Sequence, residues 1–304
     1  MDAKSLLNSL KPKSGSPPIF GAIPYDELIF NTLKSSSAAA ASATTIKAPK
    51  VLILCGPPGS GKSTIKTQLL QSKGITDYVN IDPDEIRSIL MREGLTFPDD
   101  KKMSGITNAF NKRMSDEARN QRLNIVFDTT GQNSTAIFAL IKNLRESGYK
   151  THFVIVYASL ETCLARVARR NDQLTETGSD RIQLPLDIAS GIYNGFMKGI
   201  ASTFLLDFPP RLDEILLYDN NADGGEPTLL YQKVEKDVVF SSNFPNFYNM
   251  SLSEASPYIV KSAPPDVIVK TPPDVGAKGG KTKRIRRKKS KKTRRRRKYK
   301  KRIS

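Results

Sequence analysis

Residues 51–64 read VLILCGPPGSGKST, an apolar run that breaks into glycines and ends in a lysine and two hydroxyls. Glycines let successive backbone N–H groups turn inward around an anion, and a helix starting at the loop adds a favourable partial charge. GPPGSGKS fits GxxxxGK[ST] at every defined position, with a strand-like run before it and the helix-like TIKTQLLQS after it. Gly56, Pro57, Pro58, Gly59, Ser60, Gly61, Lys62, Ser63 and Thr64 are therefore read as a cradle for nucleotide phosphates. Lys62 is expected to reach the β and γ phosphates. Ser63 is expected to offer its hydroxyl to Mg²⁺, with Thr64 as the substitute.

Two further segments bring carboxylates to the ends of strand-like runs. NIDPDEIR (80–87) places Asp82 and Asp84 just past one run, where either could take the proton of an attacking hydroxyl. Arg87 follows one helical turn later and is suited to grip an anionic part of a substrate. Capping of the following helix by the two aspartates, with Arg87 on the surface, is the competing reading. FDTTG (127–131) repeats the pattern: Asp128 is the acidic partner for Mg²⁺ or its waters, and Thr129 and Thr130 offer hydroxyls beside the transferred group. Here too, plain helix capping competes. Arg166, Arg169 and Arg170, with Arg181 further on, could close over the charge that spreads across a transferred phosphoryl group. A solvated helix face is the alternative.

The elements that must position these residues follow from periodicity. VLILC, DYVNID, LNIVFD, KTHFVIVYA and EILLYDN read as strands, and amphipathic stretches of ten or more residues separate them. Alternation of this kind gives βαβ units, and hence an α/β fold: a mostly parallel sheet in a three-layer α/β/α sandwich. The GxxxxGK[ST] loop after its first strand makes the expected sandwich one of the P-loop NTPase type. Polar 171–185 reads as a mobile lid. A further amphipathic helix is expected over about 186–205. Residues 1–46 read as an N-terminal segment ending in the low-complexity linker SSSAAAASATT, the folded domain as 47–258, and 259–277 as a Pro/Gly linker.

Composition narrows the chemistry. At 304 residues and 38% hydrophobic, the chain supports one substantial core. Two cysteines, Cys55 and Cys163, and a single histidine, His152, leave zinc chemistry without ligands and give no disulfide framework. No apolar run of membrane-spanning length occurs, and prolines and a lysine interrupt the N-terminal residues, so a soluble protein of the cell interior is expected, cytoplasmic or, in a eukaryotic cell, nuclear.

Taken together, VLILCGPPGSGKST, VNIDPDEIR, NIVFDTTG, LRESGYKTHFVIVYASLETCLARVARR and EILLYDNNADGGEPTLLY resemble the zeta-toxin family of P-loop kinases, from about residue 48 to 232. The resemblance implies ATP- or GTP-dependent phosphorylation of a hydroxyl, with Asp84 as the base. Bacterial members of the family act on UDP-N-acetylglucosamine. Glu117 is the candidate for the family's second acidic contact to substrate. Gln132 stands where many members carry an arginine just after TG, which weakens transfer of the sugar-nucleotide substrate. NIDPDEIR and FDTT are also similar to segments of polynucleotide 5′-hydroxyl kinases, in which Asp84 would remain the base and Arg87 would hold a nucleic-acid phosphate. An antitoxin partner is left open.

The charge of +18 sits in one place. Residues 278–304 hold 18 of the 48 basic residues and no acidic one, leaving 30 basic against 30 acidic elsewhere. Such a tail is expected to stay disordered until an anionic partner neutralises it, and to bind nucleic acid without sequence preference and in a salt-sensitive way, or to direct nuclear targeting. Without an apolar face beside the charges, a membrane surface is the weaker partner.

Overall fold

The computed structural model describes residues 3–10, 20–35, 48–96, 100–177, 183–205, 212–221, 225–234 and 237–240. Linker residues 36–45, Arg181, the 259–277 segment and the basic tail lie outside them. The chain divides into units of residues 1–262 and 263–304, and every described residue belongs to the first.

In chain order the elements are α1 (Ala3–Ser9), α2 (Asp26–Leu33), β1 (Lys50–Cys55), α3 (Lys62–Ser72), β2 (Tyr78–Ile81), α4 (Pro83–Arg92), α5 (Asp100–Asn120) and β3 (Asn124–Thr129). There follow α6 (Ser134–Glu146), β4 (Lys150–Tyr157), α7 (Leu160–Glu176), α8 (Leu186–Leu205), β5 (Glu214–Asp219), β6 (Thr228–Val234) and β7 (Asp237–Phe240). The seven strands among the described residues form one sheet in the order β2-β3-β1-β4-β5-β6-β7. Pairing is parallel from β2 through β5 and antiparallel for β6 and β7. This is the expected α/β architecture, extended by a final antiparallel pair.

Alternation along β1 explains its continuous apolar run. Val51, Ile53 and Cys55 join one core with residues of α4, α5, α6 and α8, while Leu52 and Leu54 join a second with Ile65 and Leu69 of α3. Each fully buried side chain of this kind contributes about 1.5–3 kcal/mol. Because β3 and β4 flank β1, successive connections depart to opposite sides of it. A crevice therefore opens beyond its carboxyl end.

Two local differences from the sequence reading stand out. α7 runs on through Glu176, so the first residues of the expected lid are helical. Asn171 then clasps the far side of that connection: its Nδ2 donates to the Leu184 carbonyl, and its Oδ1 accepts from the Leu184 N–H at 3.1 Å. The N-terminal residues, expected to precede the domain, instead enter its core: Leu6, Ile29, Phe30 and Leu33 pack with Ile86, Ile89, Ile106 and Phe110. Asp26, 1% exposed, fixes this arrangement by accepting from Arg113 on α5 and from the N–H groups of Gly21 and Ile23. Ser35 then reaches β2, its N–H donating to the Tyr78 carbonyl at 2.8 Å while its Oγ accepts from the Tyr78 N–H at 3.2 Å.

His152 and Glu214 lie at the amino ends of their strands, away from the crevice. Burial alone would raise the Glu214 carboxyl, but hydrogen bonds from His152 and Lys73 and their charges outweigh it and hold it at about 2. His152 Nδ1 hydrogen-bonds Glu214 at 2.7 Å there, at the opposite end of the strands from the phosphate loop. Among the described residues no helix is long and apolar enough to cross a membrane.

Candidate active site

The phosphate loop emerges from β1 into the crevice and ends at α3. Gly59 and Gly61 have φ of +81° and +87°, a region that side chains rarely adopt. They are also pressed from outside: a Cβ on Gly59 would come 2.3 Å from the Cys163 carbonyl oxygen, and one on Gly61 would come 1.9 Å from Asn220 Nδ2. The first N–H groups of α3, from Lys62 and Ser63, have no acceptor within the helix, which leaves them for an anion.

Lys62 folds back over this loop. Its Nζ donates to the Gly56 carbonyl at 2.9 Å and lies 3.5 Å from Asp128 Oδ1 at the end of β3. Ser63 and Thr64 are exposed beside it. Thr129 accepts the Gly131 N–H on its Oγ1, and its carbonyl receives the Gly56 N–H, joining β3 to the loop. Thr130 is half-buried next to it.

At the end of β2, Asp82 caps α4, its Oδ1 accepting the Asp84 N–H at 2.9 Å. Burial, then the charges of Asp128 and Asp84, push the Asp82 carboxyl up to about 6; that N–H and Lys66 pull the other way without cancelling them. The competing capping role is thus real for Asp82. It leaves Asp84 exposed, one turn before Arg87. Arg87 Nε is buried and has no hydrogen-bond partner among the described residues.

Arg166 on α7 also reaches the loop, donating through Nη1 to the carbonyls of Gly59 and Asn220 at 3.3 and 2.9 Å. Arg169 and Arg170 are exposed further along the helix. Gln132 lies against α8, where a Cβ on Gly195 would come 2.9 Å from its Cγ. Cys55 and Cys163 are buried beside the loop, and burial pushes both thiols up, Cys163 to about 11, so neither is a thiolate nucleophile.

Glu117 stands apart from this group. It lies near the end of α5, and the neighbouring Ala118 carbonyl accepts from Tyr149, the residue just before β4. That is the amino edge of the sheet, because α5 descends from the crevice before β3 climbs back to it. Glu117 instead accepts from Gln121 and Asn120. Conversely, Asn220, just past β5, was not singled out as a site residue, although an asparagine directly after a strand's carboxyl end is the available signal.

A mostly parallel sheet whose β1 ends in this loop, with Lys62 over it and carboxylates at the ends of the neighbouring β3 and, beyond it, β2, defines a P-loop kinase fold. No curated protein matches the chain. The zeta toxin family model matches residues 35–231, more than half of it, and the chain belongs to that family of P-loop kinases, which are phosphotransferases. Among solved structures it resembles AvrRxo1-ORF1:-ORF2 with ATP, at 17% identity and a TM-score of 0.59 over 83% of this chain and 76% of that one. The complex of the same name with sulphate ions gives 17% and 0.57 over the same shares. PezAT, a chromosomal toxin–antitoxin system of Streptococcus pneumoniae, gives 15% and 0.50 over 78% of this chain and 96% of that one.

Proposed function

We propose that this chain transfers the γ-phosphate of ATP, or of GTP, to a hydroxyl of a small anionic acceptor such as a nucleotide sugar. The observation that carries the reading is the pairing on α4 of an exposed carboxylate, Asp84, with a guanidinium, Arg87, whose buried Nε has no partner among the described residues. The acceptor oxygen attacks the γ-phosphorus, the bond from that phosphorus to the bridging oxygen breaks, and the nucleoside diphosphate leaves. Asp84 takes the hydroxyl proton and returns it to water. Arg87 holds the acceptor's anionic group, with Asp82, Thr129 and Thr130 around it. Lys62 binds the β and γ phosphates, and Arg169 and Arg170 close on the charge of the transferred group. The ATP in the AvrRxo1-ORF1:-ORF2 structure supports the choice of nucleotide.

The donors at hand suit Mg²⁺. Ser63 and Asp128 offer hard oxygens, and no group of three or more His, Cys, Asp or Glu able to hold a metal exists among the described residues. That fits an ion that takes one or two protein oxygens and otherwise nucleotide phosphates and water. When bound, Mg²⁺ supplies charge neutralisation at the β and γ phosphates.

Residues 278–304 favour a second reading: a polynucleotide 5′-hydroxyl kinase, or a nucleic-acid-binding protein with a nucleotide switch. Transfer of label from γ-labelled ATP or GTP separates the two. Phosphorylated UDP-N-acetylglucosamine supports the first, phosphorylated 5′-hydroxyl oligonucleotide the second, and no labelled product with either leaves the switch.

A further inference from the structure

The geometry points to Asn220 as a positioning residue that, with Arg166, turns the phosphate loop's amides toward the nucleotide. This rests on the reading that residues 56–64 bind nucleotide phosphates. Asn220 is 6% exposed and lies in the turn after β5. Its main-chain N–H donates to the Tyr157 carbonyl at 2.8 Å, which fixes the residue beside β4. Its Nδ2 donates to the Ser60 carbonyl at 2.8 Å. A trans peptide points its C=O and the next N–H in opposite directions. Drawing the Ser60 carbonyl outward to Asn220 therefore aims the Gly61 N–H at the inside of the loop.

Arg166 adds the second half of the strut. One of its Nη atoms joins the Gly59 carbonyl to the Asn220 carbonyl, so consecutive loop carbonyls are both held on the outside. Asn221 completes the brace: its Oδ1 accepts the N–H of Ser159, the residue that caps α7, at 2.6 Å, and its Nδ2 donates to Asp219. The turn thus ties the loop to the helix that carries the arginines. Arg166 is accordingly a loop-bracing residue, distinct from Arg169 and Arg170, which stand exposed beyond it.

Asn220→Asp tests the assignment, since it keeps the size but replaces the donor with a group that repels the Ser60 carbonyl. MgATP dissociation constants are measured on the full chain, at salt high enough to screen the basic tail, together with melting temperatures without nucleotide. The expected result is about tenfold weaker MgATP binding, because the loop's amides lose their inward set, together with a lower melting temperature without nucleotide, because the Ser60 carbonyl is left buried and unsatisfied. Arg166→Met should weaken MgATP as well, and the double variant should bind no worse than the weaker single one. Wild-type affinity in Asn220→Asp overturns the assignment; should that variant not fold, wild-type affinity in Arg166→Met does so. Lys62→Ala distinguishes the two readings: if wild type and Lys62→Ala both fail to retain MgATP, the nucleotide reading falls and the strut with it.

Discussion

Lys62 Nζ stands 3.5 Å from Asp128 Oδ1 at the mouth of the phosphate loop, with side chains only 14% and 20% exposed. The loop's ammonium is thus paired to the carboxylate at the end of β3. Lys62→Ala should abolish phosphoryl transfer and leave the chain folded. Asp128→Asn should lower transfer at least about 100-fold, the scale seen when one preorganised charged or polar contact is removed. Initial rates with γ-labelled nucleotide, alongside a melting curve, check both.

Asp84 and Arg87 share a face of α4 but should fail differently. Asp84→Asn is expected to reduce the turnover rate by about 10²–10⁴-fold, the usual range for a general base, with ATP affinity unchanged. Arg87→Ala should instead raise the KM for the acceptor. Undiminished transfer by Asp84→Asn would remove it as the base.

Asp82 makes a prediction about stability. Its folded carboxyl titrates at about 6, above the ordinary aspartate value of 3.8, so the folded chain holds the proton more tightly than the unfolded one. Stability contributed by that proton is present below pH 4 and declines as pH rises to 6. Asn caps helices as well as Asp and carries no charge. Asp82→Asn should therefore melt higher at pH 7.5, by about 2–4 °C if the gain is near 1 kcal/mol, and the difference should vanish below pH 4. Thermal denaturation across pH 4–8 decides it.

Asp26 and Arg113 tie the N-terminal helices to α5 from within the core. Asp26→Ala leaves the guanidinium buried without its carboxylate, and a loss of about 3–5 kcal/mol is expected. Asp26→Ala with Arg113→Met should recover much of it. Urea denaturation of the variants measures the coupling.

The phosphate loop and the carboxylates around it were legible because each follows a buried apolar strand, and strand ends in an open parallel sheet share one crevice. Glu117, offered on the resemblance, lies away from the other candidates because a residue's place in a helical stretch does not say which end of the helix faces that crevice. Asn220 was not legible as a neighbour of the loop, since the carbonyl its side chain meets lies 160 residues away. The N-terminal helices escaped notice because Pro17, Pro18 and the Ser/Ala stretch suggest a tether, whereas a few buried contacts from Leu6, Ile29 and Phe30 are enough to dock it. α7 outran its expected end because its polar last turns satisfy their own backbone hydrogen bonds.

β2 is the parallel edge of the sheet, and an open edge invites a strand from another molecule. Ser35 occupies both main-chain groups of Tyr78, and Lys34 bridges Val79. The N-terminal residues thereby act as a selvedge: they finish a border along which chains would otherwise stick together.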